Sequence, residues 1–111
     1  MRSLKAAVVA VTGASSGIGH EAALEFAREG ARLAVCARRL GRLESLAAAI
    51  GDLGSQALVM AVDVAEREQI VCFVEAAVGR FGRLDVLVNN AGYGVRGLVE
   101  ETPAEDYRRL M

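Results

Sequence analysis

A glycine-rich loop close to the N-terminus has the residue types and the spacing needed to bind phosphate. Residues 12–19 read Thr-Gly-Ala-Ser-Ser-Gly-Ile-Gly, directly after an apolar run and before a stretch of helical periodicity. A helix N-terminus carries free amides and a partial positive charge, and glycines let its backbone approach a pyrophosphate closely. An ordinary glycine-rich turn is the alternative, which the flanking strand and helix disfavour. The predicted phosphate-binding residues are Gly13, Ser15, Ser16, Gly17, Ile18 and Gly19.

The loop belongs to a regular alternation of short apolar runs with longer segments of helical periodicity. The runs predict four strands, at residues 6–12, 32–37, 56–62 and 85–89. Their Val, Ala and Leu content is nearly continuous, so we expect central strands that are buried on both faces. The pattern predicts an α/β fold, a Rossmann-like half with a parallel sheet in the order 3-2-1-4 and helices on both faces. The fourth strand is then expected to form an open edge.

Three helices connecting these strands are predicted from their apolar stripes. Gly30, Gly51 and Gly82 follow the stripes, and we expect them to end the helices because glycine readily adopts a positive φ. The stripes consist of Ile18, Ala22, Phe26 and Ala27 in the first helix, Leu40, Leu43, Leu46, Ala47 and Ile50 in the second, and Ile70, Phe73, Val74, Ala77, Val78 and Phe81 in the third.

A further helix is predicted near the C-terminus. Thr102, Pro103 and Glu105 read as a capping box with proline at the first helical position. The helix then runs to Met111 without a stop signal. We therefore expect the fold to be truncated in the helix after the fourth strand, with Tyr107 packed in that helix or at its surface.

Two arginines follow the second predicted strand, where an open α/β sheet selects its nucleotide. Ligands of such sheets bind beyond the carboxyl ends of the strands. A carboxylate at this position would hold the ribose 2′-hydroxyl of NAD, whereas an arginine attracts the 2′-phosphate of NADP. Ala37 is followed by Arg38 and Arg39, which predicts NADP(H) rather than NAD(H). The alternative is that both arginines are solvated charges at the start of a helix.

With the loop spacing Gly-x-x-x-Gly-x-Gly, the sequence resembles the classical short-chain dehydrogenase/reductase family. Two further family signatures follow the third and fourth predicted strands, and the resemblance covers essentially the whole chain. It implies an oxidoreductase that transfers a hydride between nicotinamide and a carbonyl or alcohol substrate. The signature residues implied to border the cofactor are Asp63 and Val64, at the adenine, and Asn89, Asn90, Ala91 and Gly92. For Asp63, capping of a helix is the alternative.

The catalytic residues that this resemblance implies are not found in the chain. The family uses a tyrosine whose pKa is lowered by a lysine four residues later. Here Tyr93 is followed at that spacing by Gly97, and Tyr107 by Met111. No catalytic residue is therefore assigned, and we expect the isolated chain not to transfer hydride. The alternatives are a non-catalytic dinucleotide-binding module or a remnant that associates with another chain.

Composition narrows the remaining possibilities. The 111 residues, 53% hydrophobic and 24% charged, predict one compact domain at 1–111, the N-terminal part of a dinucleotide-binding domain. A net charge of -1 offers no broad field for nucleic acid, and no segment reaches transmembrane length. We expect a cofactor, a small-molecule substrate and self-association as the interactions. Cys36 and Cys72 lack metal-ligand spacing, so no metal is expected, and both are predicted to be buried thiols in the cytoplasm.

Overall fold

The computed structural model describes residues 5–14, 17–63 and 65–89, together with the backbone of residues 98–100. Strands and helices alternate along the chain up to the fourth strand, and a fifth strand follows. They are β1 (Val8–Thr12), α1 (Gly17–Arg28), β2 (Arg32–Ala37), α2 (Leu40–Asp52), β3 (Ala57–Ala61), α3 (Arg67–Phe81), β4 (Val86–Val88) and β5 (Leu98–Glu100). All four predicted strands are present. The predicted helix at 102–111, with Tyr107, lies outside the described residues.

The strands form one sheet in the order β3-β2-β1-β4-β5. β1 pairs in parallel with both β2 and β4, and β2 pairs in parallel with β3. This confirms the predicted order 3-2-1-4. Because the strands are parallel, their carboxyl ends lie at one edge of the sheet, which we call the carboxyl edge.

The expectation that β4 would form an open edge is wrong. β5 pairs with β4 in the antiparallel direction, with Leu87 opposite Val99. The nine residues between the two strands are fewer than the dozen or so that a parallel crossover requires. The short connection therefore favours an antiparallel strand as the neighbour of β4.

Two apolar clusters fill the two faces of the sheet. Successive side chains of a strand point to opposite faces, so Val9 and Val11 join the cluster beneath α1 and α2, whereas Val8 and Ala10 join the cluster beneath α3. This is the physical reason for the unbroken apolar run in β1. Helices cover both faces of the sheet, as predicted.

β3 is an exception to the prediction of central strands. It lies at the end of the sheet, its side chains are only partly buried, and Ala61 is exposed. Its apolar sequence predicted burial on both faces. The predicted order 3-2-1-4 already placed strand 3 at the end of the sheet, and β2 is its only neighbour among the described residues.

The buried face of α1 also differs from the predicted stripe. The structure buries Gly19, Ala23 and Ala27, and it leaves Ile18 58% exposed. These small residues recur every fourth position and so lie on one face of the helix. They let the helix approach the sheet closely, which the larger side chain of Ile18 would prevent.

Two of the three predicted helix-ending glycines are confirmed. Gly82 is the C-cap of α3 with φ 84°, and Gly30 follows α1 with φ 93°. Gly51 lies inside α2, and the positive φ of 87° belongs to Gly54. Gly51 keeps a helical backbone, so α2 continues to Asp52, and the chain adopts a positive φ only at Gly54.

The two cysteines differ in their surroundings. Cys36 is fully buried in β2, as predicted, but Cys72 is exposed on α3, so that prediction is wrong. Val71 lies on the buried face of α3, and Cys72, one residue later in the helix, is turned out of that face. Both thiols are free. Within the part of the chain described, no helix is long and apolar enough to cross a membrane.

Candidate functional site

The ends of β1 and β4 are joined at the carboxyl edge by a pair of side chains. The hydroxyl of Thr12 donates to Oδ1 of Asn89 over 3.0 Å. Thr12 is only 1% exposed, so this bond fixes Asn89 relative to the first residue of the glycine-rich loop. Asn89 was singled out in the sequence, whereas Thr12 was not. Its signal is a hydroxyl at the last position of a buried apolar strand, where the glycine-rich loop begins.

The start of the loop is attached to β2 through Cys36. The Ala14 amide donates to the Cys36 carbonyl oxygen over 3.0 Å. Gly13 has φ 63°, a conformation that other residues rarely adopt. The Ala14 amide is therefore used inside the protein, and Gly13 makes the turn with which the chain leaves β1.

The amides that open α1 are placed differently. The helix begins at Gly17 with φ 49°, and a Cβ atom there would meet nothing within 4 Å. The backbone thus borders open space, as a surface that receives a pyrophosphate must. Gly19 is buried, which brings the first turn of the helix against the sheet. Ser15 and Ser16 lie outside the described residues.

An open groove runs along the outer side of α1. It is lined by Gly17, Ile18, Glu21, Ala22 and Glu25. The carboxylates of Glu21 and Glu25 repel an anion along most of this groove, whereas its end at Gly17 and Ile18 carries no charged side chain.

Arg38 and Arg39 follow β2 at the carboxyl edge, and both are exposed. Arg39 is the N-cap residue of α2, in an extended conformation and without a side-chain capping bond. Both side chains are therefore accessible to solvent, at the end of the strand that pairs with β1. Solvated charges at a helix start would be exposed in the same way, and titration of Arg38→Ala distinguishes the two interpretations.

Asp63 organises the turn between β3 and α3. Its Oδ1 accepts from the Ala65 amide over 3.0 Å, and its own amide donates to Oε1 of Gln69 over 2.8 Å. The N-cap residue of α3 is Glu66, not Asp63. Asp63 thus stabilises the turn before the helix rather than capping the helix itself. Its partner in the sequence signature, Val64, lies outside the described residues, as do Asn90, Ala91 and Gly92.

The thiol of Cys36 is not a reactive group. Burial raises the pKa of Cys36 from 9.0 to about 12, and the hydrogen bond from the Gly13 amide only partly opposes this. Because the thiolate is the nucleophile and the metal ligand, a thiol that stays protonated at neutral pH has a structural role. Among residues 5–14, 17–63 and 65–89, no three His, Cys, Asp or Glu side chains form a group that could hold a metal ion.

A buried carboxylate lies at the amino ends of the parallel strands, opposite the carboxyl edge. It was not predicted from the sequence. Asp85, only 4% exposed, precedes β4 and accepts from the Val8 amide over 2.8 Å. The Asp85 amide donates to the Val8 carbonyl, and Arg83 Nε donates to Asp85 Oδ1 over 2.9 Å. The signal was present as an acidic residue within a predicted buried strand, since such residues are buried only when paired. This group holds β1 and β4 together on the side away from the candidate site.

Known proteins match most of this chain. A protein-family model described as short chain dehydrogenase matches residues 7–111. An 11-beta-hydroxysteroid dehydrogenase A from Arachis hypogaea is 47% identical over 97 residues, which are 86% of this chain and 28% of that protein. The chain thus spans less than a third of the length of this relative.

Solved structures share the fold. An alcohol dehydrogenase from the archaeon Thermococcus sibiricus, complexed with 5-hydroxy-NADP, has a TM-score of 0.71 at 36% identity, over 75% of this chain and 36% of that one. Carveol dehydrogenase from Mycobacterium avium, in complex with NAD, has a TM-score of 0.78 at 28% identity, over 87% of this chain and 39% of that one. The two neighbours hold different dinucleotides. The likeness therefore supports a nicotinamide dinucleotide site without selecting NADP or NAD.

Proposed function

Because the chain belongs to the short-chain dehydrogenase family, we propose that it is the NADP(H)-binding portion of an oxidoreductase. The whole enzyme would transfer a hydride between nicotinamide and a carbonyl or alcohol carbon of a small molecule. The observation that carries this proposal is the convergence, at the carboxyl edge, of the open backbone at Gly17, the Thr12–Asn89 pair and Arg38. In this proposal, Gly17 would open the helix that receives a phosphate, the Thr12–Asn89 pair would fix a strand end, and Arg38 would supply a cation.

Each part of the dinucleotide has a place in this proposal. The amides that open α1, with Ser15, Ser16 and Ile18 beside them, would hold the pyrophosphate. Asp63 and Val64 would border the adenine, and Arg38, with Arg39, would hold the 2′-phosphate. Bound NADPH would supply the hydride, and this chain's residues would orient the nucleotide. The remaining signature residues proposed to line the cofactor are Gly13, Gly17, Gly19, Asn89, Asn90, Ala91 and Gly92.

The isolated chain is proposed to bind the nucleotide without catalysing its reaction. Its sequence contains no Tyr-x-x-x-Lys, and its single lysine, Lys5, precedes β1. Without a cation beside it, a tyrosine keeps a pKa near 10 and is a poor base at neutral pH. The same observation favours a second candidate function, a dinucleotide-binding module that acts with another chain.

Cytoplasmic location is also part of the proposal. Cys36 and Cys72 are both free, which suits a reducing compartment.

The choice of nucleotide is tested by calorimetric titration of NADPH and NADH into the wild type and Arg38→Ala. We expect the substitution to lower the affinity for NADPH about tenfold or more, as for a lost charge-assisted hydrogen bond, and to leave the affinity for NADH unchanged. Arg28→Ala is the matched control, because Arg28 is an exposed arginine at the far end of α1. Equal affinity of the wild type for both nucleotides would remove the NADP assignment. Absence of binding to either would remove the proposed function.

A further inference from the structure

The turn that follows β3 bonds to Asp63 at three points. The carbonyl oxygen of Asp63 accepts from the Glu66 amide over 2.9 Å, and its Oδ1 accepts from the Ala65 amide over 3.0 Å. The Asp63 amide donates to Oε1 of Gln69 over 2.8 Å. Of these three bonds, the one to Gln69 is the bond that depends on a side chain other than that of Asp63.

The position of Gln69 in α3 explains why its side chain bonds to Asp63. Glu66 is the N-cap residue, so Gln69 is the third residue of the helix. A glutamine at that position commonly bonds back to the amide of the N-cap residue. Here the Glu66 amide already donates to the Asp63 carbonyl, and Gln69 bonds instead to the Asp63 amide.

This bond fixes the chain at the point where it leaves the sheet. Val62 is still bonded to β2, because its amide donates to the Ala37 carbonyl over 2.8 Å. One residue later, the Asp63 amide donates to a side chain of α3 and not to a strand. The main chain at Asp63 is therefore fixed by the helix that follows it.

The carboxylate of Asp63 has room for a further donor. Asp63 lies two residues after Ala61, which pairs with Ala37 at the end of β2, so the carboxylate is at the carboxyl edge. The bond from the Ala65 amide to Oδ1 orients the carboxylate relative to the turn. A carboxylate has two oxygens and about four acceptor sites. An amino group on a nucleotide base can therefore donate to it as well.

We propose that Gln69 is a positioning residue for the adenine of the nucleotide, fixing the main chain of Asp63 so that its carboxylate is placed to accept from the adenine amino group. Gln69 acts through Asp63 and is not proposed to contact the cofactor. The effect on adenine recognition rests on the proposed dinucleotide function. The effect on the turn does not, and it is measurable without any nucleotide.

The two glutamines of the chain provide the variants and a matched control. Gln69→Ala removes the acceptor, and Gln69→Glu keeps an acceptor oxygen on a side chain of the same length. Gln69 is exposed, so neither substitution opens the core. Gln56→Ala is the control, because Gln56 is also exposed but precedes β3, at the opposite end of that strand.

The first measurement is amide hydrogen exchange by NMR in the absence of nucleotide. We expect exchange of the Asp63 amide to rise about threefold to tenfold in Gln69→Ala, as for the loss of one hydrogen bond. The Val62 amide, bonded to the main chain of β2, should keep its rate. Gln69→Glu and Gln56→Ala should keep the wild-type rate at Asp63. An unchanged rate at Asp63 in Gln69→Ala, or equal rises at Asp63 and Val62, would overturn the proposal.

The second measurement is calorimetric titration of NADPH and of its hypoxanthine analogue, in which a carbonyl oxygen replaces the adenine amino group. A carboxylate accepts from the amino group but repels the carbonyl oxygen, so we expect the wild type to bind NADPH about tenfold or more tightly than the analogue. In Gln69→Ala this ratio of affinities should fall about threefold or more. Gln69→Glu and Gln56→Ala should keep the wild-type ratio. A residue that only stabilised the fold would lower both affinities alike.

The titrations distinguish failure of this proposal from failure of the proposed function. An unchanged ratio of affinities in Gln69→Ala would overturn the positioning role. Equal affinity of the wild type for NADPH and the analogue would also overturn it, because Asp63 would then not recognise the amino group, while the dinucleotide function would stand. If the wild type bound neither nucleotide, the proposed function would fail, and the exchange rate of the Asp63 amide would still decide whether Gln69 fixes the turn.

Discussion

At the scale of single residues, three buried groups join segments that are distant in the sequence. Thr12 bonds to Asn89, and Asp85 bonds to the Val8 amide, each across 77 positions of the chain. The main-chain carbonyl of Cys36 accepts from the Ala14 amide in the loop between β1 and α1. A buried polar group destabilises a fold when it loses its partner, so each of these residues restricts how the strands can pair. Thr12 and Cys36 act at the carboxyl edge, and Asp85 acts at the other edge.

Asp85 is a buried polar residue whose removal should lower the stability of the fold. Asp85→Ala leaves the Val8 amide without its side-chain acceptor and Arg83 without its carboxylate. We expect the free energy of unfolding to fall by about 2 kcal/mol, because an unpaired buried donor loses its hydrogen bond and stays desolvated. Urea unfolding followed by circular dichroism measures the change.

The control for this variant is Glu44→Ala, since Glu44 is an exposed acidic residue of α2. Exposed substitutions usually change stability by less than about 0.5 kcal/mol. A loss no larger in Asp85→Ala than in Glu44→Ala would show that the bonds of Asp85 do not stabilise the pairing of β1 with β4.

At the scale of elements, the backbone conformation at helix ends explains where the glycines are needed. Gly82 ends α3 with φ 84°, and its amide donates to the Val78 carbonyl over 2.7 Å. Gly51 lies within α2, where no positive φ is required. A Cβ atom would meet nothing within 4 Å at either position. Conformation alone therefore distinguishes the two glycines.

Alanine substitutions at these glycines should have opposite effects. Gly82→Ala forces a side chain into the left-handed region and should destabilise the fold by about 1 kcal/mol. Gly51→Ala should stabilise it by about 0.5–1 kcal/mol, because alanine loses less backbone entropy in a helix. Thermal unfolding of the two variants beside the wild type gives the signs, and a shift of both midpoints in one direction would contradict this account.

At the scale of the whole molecule, β5 replaces β4 as the outer strand on one side of the sheet. The sequence predicted an open edge at β4, but β5 covers it, and β3 is the outer strand on the other side, as the predicted order 3-2-1-4 implied. An edge strand presents main-chain N–H and C=O groups that can pair with another chain. Self-association therefore stays a prediction, and we expect β3 to mediate it, because Ala61 is exposed at its end.

Sedimentation velocity at micromolar concentration tests this prediction. We expect the wild type to form dimers or larger species. Ala61→Lys should weaken them, because Ala61 is exposed at the end of β3 and lysine on an edge strand opposes pairing. Arg39→Lys is the control, since it keeps an exposed charge of the same sign outside the strand. A clean wild-type monomer would contradict self-association, and unchanged assembly in Ala61→Lys would place it elsewhere.

Local periodicity was sufficient to predict the order of strands and helices, the α/β class and the glycine-rich loop before α1. These features depend on neighbours in the chain, since apolar spacing distinguishes a strand from a helix and glycine marks a sharp turn. Arg38, Asp63 and Asn89 were placed at strand ends by the same reasoning. Whether they bind a nucleotide is a matter of chemistry that the proposed titrations test.

Only the tertiary structure decided which surfaces meet. It turned the small residues of α1 to the sheet and left Ile18 outside, exposed Cys72, and placed β5 beside β4. It also brought Thr12 to Asn89 across 77 positions. The physical reason is that the buried face of a helix or strand depends on the element it packs against. Elements that lie far apart in the chain do not affect the local spacing of apolar residues, so that spacing does not predict their contacts.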